Sequence, residues 1–138
     1  MISVYEKQIV IKEDYIDMNQ HVNNIIFLQL MQDIAIEHSD ANGFTLEKYS
    51  TLKTSWIAKK HCINYLKPVF LNDKIMIRTW IESIARFSAI RKYEFINIKD
   101  NSIVCEAEST WVYINQKNGK PHKIDENMKK SFSPLKYR

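Results

Sequence analysis

The amino-acid sequence predicts an α+β fold in which a long antiparallel sheet wraps around one central helix. Three observations support this fold class: one long run with helical periodicity, several long runs typical of strands, and a scarcity of turn-forming residues. The chain has 2 Gly and 3 Pro in 138 residues, so few tight turns are available and the elements must be long. This length fits one domain, which we expect to span residues 1–138.

The predicted elements begin with a strand and the central helix. Residues 2–12 alternate loosely between apolar and polar side chains, which predicts a strand. Residues 13–23 interrupt this pattern with the Asp and Asn residues that favour turns. Asn23 or Asn24 is the expected cap of a helix over residues 24–41, and Asn42-Gly43 supplies its left-handed end. The apolar stripe of this helix consists of Phe27, Leu30, Met31, Ile34, Ala35 and His38.

Four strand-like runs follow a bridging segment at residues 44–52. They occupy residues 56–69, 74–85, 87–98 and 103–114, and the short polar links between them predict an antiparallel meander. Asn118-Gly119 is expected to form a hairpin turn, and Glu126–Phe132 a short helix. One helix leaves the edges of such a sheet exposed, so we expect a homodimer or homotetramer in which the sheet continues between copies.

The formal net charge of +4 is concentrated in the C-terminal part of the chain. Residues 115–138 carry seven Lys or Arg against two acidic residues, whereas nucleic-acid-binding proteins typically present a basic stripe along a folded face. The sequence therefore predicts no nucleic-acid partner. Residues 53–67 carry four Lys and no acid, which fits either a solvated strand face or contacts to a phosphate-bearing ligand.

No targeting or membrane-spanning segment is recognisable in the sequence. The first residues are charged and lack the apolar core of a signal peptide, and no apolar run approaches the ~20 residues of a membrane span. Cys62 and Cys105 fit neither a zinc site nor a C-x-x-C pair, so both are expected to be buried, reduced thiols. We therefore expect a cytoplasmic protein with no metal and no cofactor.

The densest group of chemically active side chains lies just before the predicted helix. Asp17 and His21 stand four residues apart, among Asp and Asn residues that extend from Asp14 to Asn24. A carboxylate and an imidazole beside a helix N-terminus, whose free N–H groups can stabilise an oxyanion, meet the minimum requirement for acyl chemistry. Capping and turn formation remain open as alternative roles for each of these residues.

The run from Asp17 to Phe27, DMNQHVNNIIF, resembles the D-x-N-x-H-V-N-N-x-x-[YF] signature of the hotdog-fold thioesterases. It is closest to the plant-type acyl-ACP thioesterases and is also similar to the 4-hydroxybenzoyl-CoA thioesterase-like acyl-CoA thioesterases. The resemblance implies a hotdog fold, assembled as dimers or dimers of dimers. It also implies hydrolysis of an acyl-CoA or acyl-ACP thioester to a carboxylic acid and a thiol.

The resemblance assigns roles within this signature. The catalytic carboxylate would be Asp17, acting as a base on water or as a nucleophile toward the thioester. Asn19 and His21 would orient the water, the thioester or the leaving group. The helix N-terminus would polarise the thioester carbonyl through the N–H groups of Asn24 and Ile25. The substrate-binding residues there would be Asn23, Asn24 and Ile25.

The chain departs from the plant enzymes after the third strand. Those enzymes have a Glu-Cys pair following the tyrosine that corresponds to Tyr65, where this chain reads Leu-Lys-Pro-Val. We therefore expect the simpler arrangement of a loop carboxylate and a helix N-terminus. Glu37, at the edge of the apolar stripe, is a further candidate for catalysis. Lys59, Lys60 and Arg86 are candidates for contacts with CoA phosphates.

The sequence is also compatible with two alternative functions. The first is a hotdog enoyl-CoA hydratase, whose motif resembles D-x-N-P-x-H. Here the spacing from Asp17 to His21 is one residue shorter and the proline is absent. The second is an acyl-CoA-binding or regulatory module without turnover, in which Asp17 would serve only as a cap.

Overall fold

A five-stranded antiparallel sheet and three α-helices form the fold of residues 1–135, the part of the chain that the computed structural model describes. A short 3-10 turn (Glu13–Tyr15) links the first strand to the central helix. The strands are β1 (Val4–Val10), β2 (Thr54–Tyr65), β3 (Lys74–Ile84), β4 (Ser88–Asn97) and β5 (Ser102–Asn115). The helices are α1 (Asn24–Ala41), α2 (Leu46–Leu52) and α3 (Glu126–Phe132).

The strand order in the sheet is β1-β3-β4-β5-β2. The meander is confirmed for β3, β4 and β5, but the prediction that β2 precedes them in it is wrong. Strand β2 pairs with β5 at the edge of the sheet, with Thr54 opposite Asn115. The eight residues 66–73 can span roughly 26 Å when extended, enough to pass the ~14 Å from β2 across two strands to β3.

Helix α1 packs its predicted stripe against the sheet. All six residues of the stripe are buried, and its first four meet Ile75, Ile77 and Phe95 in the main core. The helix begins where the Asn23 side chain accepts a hydrogen bond of 3.0 Å from the Ile25 N–H. It ends before Gly43, whose φ of +88° is left-handed. Both predicted ends of the central helix are therefore confirmed.

The segment at residues 44–52, expected only to bridge, contains helix α2. Thr45 caps it by accepting a hydrogen bond of 3.1 Å from the Lys48 N–H. The helix has seven residues and buries Tyr49 alone, so it is too short to show a periodic stripe. Together with α3 it covers a second apolar cluster, which includes Phe44, Tyr113 and Phe132.

The N-terminal segment is fastened to the far end of α1. Ile2 exchanges two hydrogen bonds with the Asn42 side chain, one of 2.8 Å from its N–H and one of 3.0 Å to its carbonyl oxygen. The same carbonyl oxygen lies 2.6 Å from Nε2 of the fully buried His38. Burial and the nearby charge of Arg91 lower the pKa of His38 to about 4, so the ring is neutral.

The two cysteines have different environments. Cys105 is buried in the main core, as predicted, and burial raises the pKa of its thiol to about 12. Cys62 is exposed, so the prediction that it is buried is wrong. The reason is that β2 is an edge strand, which the core covers less completely than it covers the strands inside the sheet.

Candidate active site

The signature loop is a tight turn closed by backbone hydrogen bonds. Ile16 and Val22 form an antiparallel bridge, and inside it the Asp17 N–H donates to the His21 carbonyl oxygen over 3.1 Å. The Gln20 N–H donates to the Asp17 carbonyl oxygen over 3.0 Å, with Gln20 itself at a φ of +66°. These bonds hold residues 17–21 in one compact turn directly before α1.

Contacts outside the loop fix its position on the sheet. The side chain of Val22 is buried, and its N–H donates a hydrogen bond of 2.8 Å to the carbonyl oxygen of Val69 in the β2–β3 link. The Asn23 N–H donates to the Tyr15 carbonyl oxygen over 2.9 Å. These two hydrogen bonds therefore attach the C-terminal end of the loop to the β2–β3 link and to the 3-10 turn that precedes the loop.

The Asp17 side chain is half-buried and is held by its own turn. Its Oδ1 accepts a hydrogen bond of 2.8 Å from the Asn19 N–H, a local turn that Asp commonly forms. Its second oxygen, Oδ2, accepts no hydrogen bond from the described residues. One carboxylate oxygen is thus oriented by the backbone, and the other is available to a ligand.

His21 lies in the same turn as Asp17 but is not bonded to it. The closest polar contact of its ring is 3.5 Å, from Nδ1 to the Val22 carbonyl oxygen, which is too long for a strong hydrogen bond. Within residues 1–135 no hydrogen bond links the imidazole to the Asp17 carboxylate or to Asn19. The structure therefore brings the three predicted catalytic residues into one turn without joining their side chains.

The three predicted substrate-binding residues form the start of α1. Asn23 is its cap, and the Ile25 N–H, predicted as an oxyanion donor, is the group that this cap accepts from. The N–H of Asn24 has no acceptor among residues 1–135. Asn24 is exposed, so this N–H is the open donor at the positive end of the α1 dipole.

Sequence reasoning did not assign a role at the site to Tyr65, the last residue of β2. Its hydroxyl donates a hydrogen bond of 3.2 Å to the Asn24 carbonyl oxygen, and its ring packs edge-on against Phe27 at 5.5 Å between centroids. Burial raises the pKa of the Tyr65 hydroxyl, which therefore remains a donor. The one indication of such a role in the sequence is that Tyr65 corresponds to the tyrosine of the family's third strand.

The remaining candidates lie apart from this turn. Glu37 forms an ion pair of 3.0 Å with Lys7 and is 13 residues along α1 from Asn24, which is about 20 Å along the helix axis. Lys59 and Lys60 are exposed on the edge strand, and Lys59 is the unpaired residue at a bulge. Arg86 is exposed as well, stacked on Phe87 at 5.3 Å.

Residues 1–135 contain no group of three or more His, Cys, Asp or Glu side chains arranged to hold a metal ion. Over the same range no helix has the length and apolar character needed to cross a bilayer.

The chain matches the model of the acyl-ACP thioesterase N-terminal domain over residues 3–132. It belongs to this family. It is 21% identical to the chloroplastic oleoyl-acyl carrier protein thioesterase of Coriandrum sativum, an alignment that covers 93% of this chain and 36% of that protein. The chain thus spans about a third of the length of its plant relative. It is also 21% identical to the long-chain acyl-CoA thioesterase FadM of Escherichia coli, covering 94% of this chain and 98% of FadM.

Solved structures show the same fold. An oleoyl thioesterase (putative) from Lactobacillus plantarum superposes with a TM-score of 0.90 at 17% identity, covering 96% of this chain and 52% of that one. The protein SAV2348 from Staphylococcus aureus, solved in complex with CoA, gives 0.89 at 16% identity, covering 96% and 84%. The chain therefore has the hotdog fold that its signature implied.

Proposed function

We propose that this chain hydrolyses an acyl thioester, carried on CoA or ACP, to a free carboxylic acid and a thiol. The observation that carries the proposal is the placement of Asp17. Its carboxylate is fixed by the Asn19 N–H, in the turn that leads directly into the N-terminus of α1. We assign the general base to this carboxylate and the oxyanion donor to the open N–H of Asn24, the first residue of that helix. Similarity to thioesterases that act on ACP and on CoA supports the same activity.

The proposed reaction uses Asp17 as a base. The carboxylate takes a proton from water, and the oxygen of that water attacks the thioester carbonyl carbon. The negative charge that develops on the carbonyl oxygen is stabilised by the Asn24 N–H and the α1 dipole. The tetrahedral intermediate then collapses, its C–S bond breaks, and the proton held by Asp17 passes to the departing sulfur. Asn19 and His21 orient the water and the leaving group.

A thiol-release assay with the full chain tests this proposal. Acyl-CoA and acyl-ACP thioesters of matched chain lengths are incubated with the protein, and a thiol-reactive dye records the free thiol. We expect release from at least one carrier, and Asp17→Asn should lower kcat at least ~100-fold, the low end for loss of a general base. Asp33→Asn removes the same charge from the exposed face of α1 and should leave kcat unchanged.

Other outcomes would favour the alternatives. Absence of thiol release from every thioester, with acyl-CoA still bound, would indicate a binding module. Loss of enoyl-CoA absorbance without thiol release would indicate a hydratase. Near-normal turnover by Asp17→Asn would move the base to another residue.

We also propose that the protein forms a homodimer through β2. This strand has 12 residues, pairs with β5 on one side, and lies at the edge of the sheet. An antiparallel copy of β2 would pair its remaining backbone groups. The exposed side chain of Ile57 adds apolar surface to this edge strand. A homotetramer would pair two such dimers.

Light scattering coupled to size exclusion tests the dimer. Ile57→Lys places a charge beside the β2 edge and should shift the mass toward the monomer. Val10→Lys makes the same change at β1, the opposite edge, where the side chain is equally exposed. The second variant should remain dimeric. A monomeric wild-type protein would contradict the proposal.

We propose the cytoplasm as the location of the protein. Its two cysteines are free, which suits a reducing compartment. Measuring the thioesterase activity of fractionated cells tests this location.

A further inference from the structure

A cavity of about 380 Å³ lies beside the C-terminal half of α1, between that helix, α2 and the sheet. Its volume falls within the range of ~300–1,000 Å³ typical of small-molecule sites. The wall is mostly apolar and aromatic, and it includes Phe44, Trp56, Ile81, Trp111 and Phe132. It is separate from the signature loop, since none of residues 14–25 contributes to its wall.

Arg91 of β4 lines this cavity and is 4% exposed. Its Nη1 lies 2.9 Å from Nδ1 of the neutral His38 and 3.1 Å from the Thr79 hydroxyl oxygen. Among residues 1–135 no carboxylate forms an ion pair with this guanidinium, and its other nitrogens have no acceptor. A buried charge normally has a paired counter-charge. Here a cation with unused donors borders an apolar cavity.

Most of the other polar side chains of the wall are hydrogen-bonded or exposed, and the hydroxyl of the half-buried Ser55 carries no charge. The Ser39 hydroxyl donates to the Phe44 carbonyl oxygen over 2.6 Å, and the Tyr49 hydroxyl is bonded to both Ser39 and the Trp56 indole. Asp40 at the rim is exposed and forms no ion pair with Arg91. Arg91 is therefore the buried group of the described wall that an incoming anion would satisfy.

We propose that this cavity binds an organic carboxylate with an apolar body, whose carboxylate accepts hydrogen bonds from the Arg91 guanidinium. The planar guanidinium matches a carboxylate through paired N–H donors, and the aromatic wall covers the apolar body. The carboxylate has two sources: a free carboxylic acid, or the distal carboxylate of an acyl group that is still attached to its thiol. The site goes beyond thioester hydrolysis, because binding of a free acid requires no turnover.

Fluorescence titration of the full chain tests this site, because Trp56 and Trp111 both line the cavity. Octanoate is compared with octanamide, which has nearly the same shape but no charge, and calorimetry confirms each affinity. We expect saturable binding of octanoate at least about 10-fold tighter than that of octanamide, the lower range for a charge-assisted hydrogen bond. Equal affinities, or no binding of octanoate, would overturn the proposal.

Substitution of Arg91 provides the second test. Arg91→Met keeps an unbranched apolar stem but removes the guanidinium, and it should weaken octanoate binding about 10- to 100-fold, with octanamide binding changed less than that. Lys99→Met removes an exposed positive charge from the β4–β5 turn and should change neither affinity. Unchanged octanoate binding in Arg91→Met would contradict the site. If Arg91→Met does not fold, octanoate binding is measured with Arg91→Lys instead. The comparison of octanoate with octanamide in the wild type still tests the site.

A thioester hydrolysis assay distinguishes a free carboxylic acid from the distal carboxylate of an acyl thioester. If the ligand is a distal carboxylate, Arg91→Met should lose kcat/KM for hexadecanedioyl-CoA but not for palmitoyl-CoA, whose chains are long enough to span the roughly 20 Å of α1 between Asn24 and His38. If the ligand is a free acid, both thioesters should be affected equally or not at all while octanoate binding falls. Absence of any thioester hydrolysis would refute the proposed function and leave the binding test intact.

Discussion

The Tyr65 hydroxyl donates a hydrogen bond of 3.2 Å to the carbonyl oxygen of Asn24, which ties the last residue of β2 to the first residue of α1. The bond joins residues 41 positions apart in the sequence. It fixes the N-terminus of the helix relative to the sheet. The position of the Asn24 N–H therefore depends on a strand at the edge of the fold.

Tyr65→Phe tests this dependence. The variant keeps the edge-on ring contact with Phe27 and removes the hydroxyl alone. We expect the free energy of unfolding to fall by up to about 1 kcal/mol, the usual value for one hydrogen bond. Thioester turnover should fall while KM changes little, because the oxyanion donor loses its support. Urea unfolding and steady-state kinetics measure the two effects, and unchanged kcat would show that the bond only stabilises the fold.

Asn23 provides a test that separates capping from catalysis. Asn23→Ala should cost about 1 kcal/mol of stability, because the Ile25 N–H loses its cap. Asn23→Asp retains an oxygen acceptor and should remain as stable as the wild type. Its added negative charge lies beside the site where the oxyanion forms, so we expect Asn23→Asp to be stable but slow. Wild-type turnover by this variant would argue against an oxyanion at the α1 N-terminus.

His38 should make stability depend on pH. Burial first, and then the charge of Arg91, lower its pKa from 6.5 to about 4 in the folded chain. Between these pH values the unfolded chain binds a proton that the folded chain excludes. Above pH 6.5 the titration of His38 therefore does not lower the free energy of unfolding. Between pH 6.5 and pH 4 it lowers that free energy by about 1.4 kcal/mol for each pH unit.

Urea unfolding of His38→Gln at pH 7, 5.5 and 4.5 measures the effect of this histidine. The glutamine amide can still donate to the Ile2 carbonyl oxygen, and the other three histidines are unchanged. The wild type should lose more stability than the variant as the pH falls. Parallel pH profiles would show that the imidazole is protonated in the folded chain.

Glu37 should contribute little to either stability or turnover. Its ion pair with Lys7 is partly exposed, and pairs of this kind contribute about 0–1 kcal/mol. Glu37→Gln should therefore retain wild-type turnover within about twofold and lose at most about 1 kcal/mol of stability. Kinetics and urea unfolding provide both values, and a large loss of kcat with intact folding would return Glu37 to the list of catalytic residues.

The central helix could be predicted in full because local periodicity determines it. Residues such as Phe27 and Ile34 recur at helical spacing, and both are buried. The place of β2 could not be predicted in the same way. Alternation shows which side chains share a face of a strand, but it does not show which strand lies beside it. The eight-residue link between β2 and β3 is long enough for β2 to lie beside either β3 or β5.

The candidate site was predictable only in part for a similar reason. Asp17, Asn19 and His21 are close in sequence, so their common turn followed from the signature. The contact from Tyr65 to Asn24 depends on tertiary packing and carries no local signal. Arg91 was missed because a charged residue in a strand ordinarily points to water. Only the packed structure shows that this guanidinium lies beneath α1.

The fastening of Ile2 to Asn42 and His38 also bears on how the fold opens. The N-terminal residues and the last turn of α1 hold each other through three close contacts, so neither can detach without the other. In native-state hydrogen exchange, amides of both segments should open together as one cooperative unit. The end of the central helix therefore does not fray as a free helix end would, because a segment nearly forty residues away restrains it.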